Sequence, residues 1–109
     1  MTLAIDCGGG GIKGSVVDER GTMMAPPRRV PTPYPLPPEL LVETVIGLAR
    51  ELPTATRVTM GMPGMIRHGV VIATPHYITR DGPRSRVLPE LVERWDHFDM
   101  GRAIEGALG

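Results

Sequence analysis

The chain has 109 residues, 12 basic and 12 acidic, with 41% hydrophobic and 4% aromatic content. That length suits one modest domain whose core rests on Val, Leu, Ile and Met, and the balanced charge gives no general attraction for nucleic acid or an anionic membrane. A lone cysteine, Cys7, excludes an intramolecular disulfide, no Cys/His cluster has zinc spacing, and no signal peptide or spanning run stands out, so a reducing cytoplasm is the expected compartment.

Thr2 to Asp6 reads as a short buried strand that ends in a carboxylate. Cys7, the four glycines Gly8, Gly9, Gly10 and Gly11, Ile12 and Lys13 follow. Glycines let backbone N–H groups come close to an anion and tolerate positive φ. A carboxylate beside such a loop can orient a metal ion or its water. The run therefore reads as a phosphate site on a strand–turn–strand, with Gly11 to Asp18 as the second strand. A tight hairpin without a ligand has the same residues. The Walker pattern is a poor match because Gly14 follows Lys13, and the dinucleotide pattern needs a helix that Gly14 to Asp18 does not start. Lys13 is the only lysine, which a genome rich in arginine codons explains equally well.

Glu19 to Gly21 supplies the next turn, and Thr22 to Val30 predicts a third strand interrupted by Pro26 and Pro27. Residues 31–38, Pro-Thr-Pro-Tyr-Pro-Leu-Pro-Pro, predict a stiff extended connector. Glu39 to Leu52 predicts a helix with Leu41, Val45, Leu48 and Leu52 in one stripe, Pro38 in its first turn and Pro53 after it. Arg57 to Gly61 predicts a strand, Met62 to Gly64 a turn, and Met65 to Ala73 a hairpin turning at Arg67 to Gly69. Thr79 to Arg86 is a polar loop whose arginines read as solvated. Leu88 to Trp95 predicts a short helix, and Asp99 caps a final one reaching Leu108. The elements define an α/β chain with a mixed sheet and flanking helices.

Asp6 to Gly14 resembles the first phosphate motif, Asp-x-Gly-Gly-Thr/Ser-x-x-Lys, of the ROK family of sugar kinases and repressors. Gly61-Met62-Pro63-Gly64 is similar to the family's Gly-x-Pro-Gly turn. Arg67 to Val71, Thr74 to Tyr77 and Trp95 to Met100 keep the same order, with spacing most like the polyphosphate glucokinase branch. The resemblance implies an actin-like ribonuclease H fold, of which residues 1–109 correspond to part of the N-terminal lobe. It implies phosphoryl transfer from ATP or polyphosphate to a hexose such as glucose. Asp6, Gly8, Gly9, Gly10, Gly11 and Lys13 would bind phosphate, Asp6 would hold Mg2+ through water, and Gly64 and His76 would touch the sugar.

Two positions depart from the family pattern. Gly10 stands in place of the usual Thr or Ser, and His76 in place of an Asn. The family's general base belongs to an Asn-Asp pair, and this sequence has no Asn; the isolated chain is expected to be inactive. The alternative is a non-catalytic sugar-sensing or phosphate-binding module. A chain starting directly at the first strand argues against DNA binding. Finally, Leu88, Leu91, Val92, Trp95 and Phe98 were more apolar surface than one helix could cover, which with an open sheet edge predicts a homo-oligomer.

Overall fold

The computed structural model describes residues 1–108. Four strands form one sheet in the order β3-β2-β1-β4: β1 (Thr2–Cys7), β2 (Gly11–Val17), β3 (Arg28–Pro31) and β4 (Arg57–Gly61). β2 runs antiparallel to β1 and β3, while β4 is parallel to β1 and follows the crossover helix α1 (Pro38–Arg50). A separate hairpin pairs β5 (Met65–Arg67) with β6 (Val70–Ala73); α2 (Pro89–Trp95) and α3 (Met100–Leu108) come last. The α/β reading and the mixed sheet are thus observed.

Alternation decides which face is buried. Leu3, Ile5 and Cys7 of β1 and Ile12, Gly14 and Val16 of β2 point into the core, and their neighbours point away. The helix packs on that inner face through Leu41, Val45 and Leu48. Gly14 is closely packed in the core: a Cβ there would lie 3.2 Å from Ile5 Cδ1 and 3.3 Å from Leu52 Cδ1. Pro38 begins α1 without any side-chain cap, since its missing N–H would be unpaired there in any case.

The third strand is shorter than the predicted Thr22–Val30. Only Arg28–Pro31 pairs continuously, and Met23 makes an isolated bridge to Val17. Pro26 and Pro27 have no N–H for a ladder, so pairing starts after them. Asp99 does cap the last helix, its Oδ1 accepting from Arg102 N–H at 3.0 Å.

The Pro-rich stretch is built into the core. Leu36 is fully buried, and its carbonyl accepts from Trp95 Nε1–H at 2.8 Å. Trp95 stacks near Tyr77 and Phe98, with ring centroids at 5.7 and 5.9 Å. This corrects the basis of the expected oligomer. Leu91 and Trp95 are buried against this cluster, and Leu88 and Phe98 are half-buried on it; of the five, Val92 alone is exposed. The core instead runs out at β4. Val58 and Met60 continue the inner face of β1 and line a groove of about 550 Å³ facing Met100, Ile104 and Leu108.

Trp95→Ala should destabilise the fold by about 3–5 kcal/mol, the usual loss for a buried aromatic. Trp95→Phe should cost about 1–3 kcal/mol, because the Leu36 carbonyl loses its donor. Urea unfolding followed by far-UV circular dichroism measures both, and a Trp95→Phe variant as stable as the parent would discount the hydrogen bond.

Candidate functional site

The glycine loop sits where β1 turns into β2. Its carbonyl oxygens are all engaged by donors within the protein. Gly8 O accepts from Thr32 Oγ1–H at 2.9 Å and from the Tyr77 hydroxyl at 3.0 Å. Gly9 O accepts from the Tyr34 hydroxyl at 2.7 Å. Gly10 O accepts from Thr32 N–H at 3.4 Å, and Gly11 O from Gly8 N–H at 2.8 Å. Gly9 N–H and Gly10 N–H donate to no acceptor among the described residues. Fixing the carbonyls in this way leaves the Gly9 and Gly10 amides as the loop's unengaged polar groups, and unengaged backbone amides are what an anion can use.

Three segments crowd the loop and explain why Gly9 is glycine. A Cβ at Gly9 would fall 2.8 Å from Pro83 Cγ and 2.9 Å from His76 Nδ1. Gly82, at φ +111°, lies against the Tyr34 ring. The segment 82–83, which sequence reasoning left as solvated loop, is therefore a wall of the site, while Arg80 in the same loop is exposed beside Asp81. A Cβ at Gly10 would meet nothing, so the position that carries Thr or Ser in the resembling pattern has room for a side chain here.

The predicted phosphate residues fall together. Asp6 and Lys13 are direct cross-strand partners, both exposed on the outer face, and Gly61 stands opposite Asp6 on the other side. Asp6 Oδ1 is 3.7 Å from where a Gly61 Cβ would be, so a bare glycine keeps the carboxylate approachable. No group of three or more His, Cys, Asp or Glu gathers as a metal cage among the described residues. One carboxylate with ligand phosphates and water is nonetheless how Mg2+ is commonly held.

The two predicted sugar residues sit at opposite ends of one short segment. Gly64, at φ +140°, abuts the backbone of Ala73 and Thr74, and a Cβ there would lie 2.9 Å from Thr74 Cα. Thr74 Oγ1–H donates to Pro63 O at 2.9 Å, locking the Met62–Gly64 turn. His76 instead reaches the glycine loop, and its Nδ1 is buried with no hydrogen-bond partner. Thr74 to Tyr77 thus ties the Gly-x-Pro-Gly turn to the phosphate loop. Sequence reasoning missed Thr32, Tyr34 and Tyr77 as the donors that hold the loop; isolated hydroxyls dispersed between prolines and a hairpin leave no spacing signal.

The arrangement, a glycine hairpin on the first two strands of a mixed sheet with an acidic residue at the strand end, belongs to an α/β fold of the actin-like type. The chain belongs to the ROK family, whose model matches residues 2–104. It is similar to the inorganic polyphosphate/ATP-glucomannokinase of Arthrobacter sp. strain KM, with 30% identity and a TM-score of 0.74 over 99% of this chain. A ROK family glucokinase from Streptomyces griseus, solved with glucose and AMPPNP, shares the fold at 20% identity and a TM-score of 0.61 over 96% of this chain. The chain spans 40% and 29% of those two proteins. A comparison with curated proteins finds no match.

Cys7, beside the loop, is not a reactive thiol. Burial pushes its pKa up to about 12, with the Asp6 charge adding to the effect and the Tyr77 hydroxyl opposing it. Burial also raises the Tyr77 phenol. A raised acid pKa means that the unfolded chain loses its proton first. Stability is therefore full below the ordinary thiol value of 9.0 and falls as pH rises towards 12. Thermal melts between those pH values should show the decline, and Cys7→Ser should flatten part of it. Iodoacetamide labelling of the folded chain at pH 8 should be far slower than of the urea-unfolded chain.

Proposed function

We propose that this chain supplies the phosphate-binding loop and one wall of the sugar site of a hexose kinase that takes its phosphoryl group from ATP or polyphosphate. The observation that supports this reading best is the loop itself: carbonyls fixed by Thr32, Tyr34 and Tyr77, two unengaged amides, and Asp6 and Lys13 beside it. Family membership and the likeness to a glucomannokinase support the same chemistry. In this reading Gly8 to Gly11 and Lys13 receive the transferred phosphoryl group's charge. Asp6 would hold Mg2+ through water, and the ion when bound would supply charge neutralisation to the phosphate oxygens. Gly64 and His76 stand on the sugar side, with a hexose such as glucose as acceptor, and the cytoplasm is the expected compartment. No helix among the described residues is long and apolar enough to cross a membrane.

The sequence has no Asn, hence no Asn-Asp pair to provide the base that the resemblance implies. A missing proton acceptor and incomplete positioning together remove many orders of magnitude of rate. The isolated chain should therefore show no glucose phosphorylation with ATP or polyphosphate in a coupled assay. Turnover lost in Asp6→Ala would overturn that expectation. Pyrophosphate with Mg2+ should shift the amide resonances of Gly8 to Gly11. Shifts confined to residues 80–86 would mean general attraction to arginines instead.

Self-association remains part of the proposal, on a basis different from the one the sequence offered. β4 pairs on one side only among the described strands, and Val58, Met65, Ile66 and Ile72 are exposed apolar residues on β4 and the β5–β6 hairpin. With zero formal net charge, copies do not repel one another. A second copy is the occupant proposed for this edge. Light scattering over a concentration series should show dimers or larger species, reduced in Val58→Lys; a monomer at all concentrations would refute it.

A further inference from the structure

The antiparallel register of β2 and β3 places Arg29 directly opposite Lys13 on the outer face of the sheet. Directly opposed residues on one sheet face have Cβ atoms about 4.5–5.5 Å apart, and like charges there repel. Neither Lys13 nor Arg29 takes part in an ion pair among the described residues, whereas neighbouring Arg28 reaches Glu51 at 3.9 Å. Arg29 is exposed, but its side chain turns along the sheet towards the loop. Its guanidinium lies over Gly11: a Cβ at Gly11 would sit 2.5 Å from Arg29 Cζ and 2.8 Å from its Nε. Glycine at that position is what admits the guanidinium to the rim of the loop. The outer face thus carries an ordered row, Arg29, Lys13 and Asp6, ending at the loop.

We propose that Arg29 is a second cation of the loop's anion site, taking a phosphate group further along the chain from the one held by the loop and Lys13. This rests on the phosphate-loop reading above. Asp6, opposite Lys13, offsets only one of the two cations; an anion beside them eases the remainder, and a planar guanidinium can donate two parallel hydrogen bonds to one phosphate. In this assignment a single phosphate takes the loop amides and Lys13, and a chain of three phosphates would add a group for Arg29. The ligand class is therefore a linear phosphate chain, whether free polyphosphate or the triphosphate of a nucleotide.

The test titrates the chain and two variants, Arg29→Gln and Lys13→Gln, with orthophosphate, inorganic tripolyphosphate and MgATP, reading the Gly8 to Gly11 amides. Arg29→Gln should weaken tripolyphosphate binding about tenfold while changing orthophosphate binding by less than about twofold. Lys13→Gln should weaken both. Arg29→Lys, which keeps the charge and loses the fork, should fall between parent and Arg29→Gln for tripolyphosphate. Weakening of MgATP in parallel would assign the site to any triphosphate, and weakening of tripolyphosphate alone would assign it to free polyphosphate; either supports the proposal. Equal weakening of orthophosphate and tripolyphosphate in Arg29→Gln, or no change in either, would overturn it and leave the loop as a phosphate site. Failure of every anion to perturb Gly8 to Gly11 in the parent chain would overturn the loop reading itself.

Discussion

The hydroxyls of Thr32, Tyr34 and Tyr77 fix the glycine loop, and the rest of the site depends on them. Four consecutive glycines have more conformational freedom to lose than any other sequence of that length. Left alone they would sample many turns, most of which present carbonyls and amides to solvent alike. Three side-chain donors take the carbonyls of Gly8 and Gly9, and Thr32 N–H takes that of Gly10. Each bond is modest, on the order of 1 kcal/mol. Their combined effect is geometric, because they select one loop conformation in which the Gly9 and Gly10 amides stay unengaged.

These donors explain the placement of segments that otherwise look incidental. The Pro-rich stretch carries Thr32 and Tyr34 beneath the loop and then buries Leu36, whose carbonyl Trp95 caps. The segment after β6 carries Tyr77 to the same loop while Thr74 holds the Gly64 turn. The aromatic residues Tyr34, Tyr77, Trp95 and Phe98 form one contiguous chain of rings beneath the site. A sequence with only 4% aromatic residues has gathered all of them in that place. The aliphatic core under the sheet supports β1 and β2, and this aromatic cluster supports the loop between them.

Much of the fold was legible in local pattern. A short apolar run before the glycines placed β1, the turn placed β2, helical spacing placed α1, and the β4 range was read correctly from Arg57 to Gly61. Asp99 announced itself as a cap. What local pattern could not show was what crosses between segments. Pro26 and Pro27 announced an interruption in β3, but that only Arg28–Pro31 would pair continuously depended on its partner strand. Leu88 to Phe98 looked unsupported because Leu36, which receives Trp95, lies 59 residues away in a stretch read as a mere connector. At the candidate site, Asp6, the glycines and Lys13 are contiguous in sequence, so their meeting on one hairpin was legible. Arg29 required the β2–β3 register, and Pro83 required the fold of a loop with no periodicity. Gly64 and His76 were named together, and the structure gives them different neighbours.

The sequence separations of the loop's hydrogen bonds have a kinetic meaning. Thr32 and Tyr34 lie 24 and 25 residues from their acceptors, and Tyr77 lies 69 from Gly8. Contacts of that span form only after the intervening chain has collapsed, since loop closure must precede the bond. The hairpin β1–β2 can assemble early from its own residues, but its turn stays unordered until the C-terminal third of the chain docks. The local order of four glycines near the N-terminus is therefore a late reporter of folding of the whole. By the same linkage, an anion that favours the ordered loop would pull the entire folding equilibrium towards the native state.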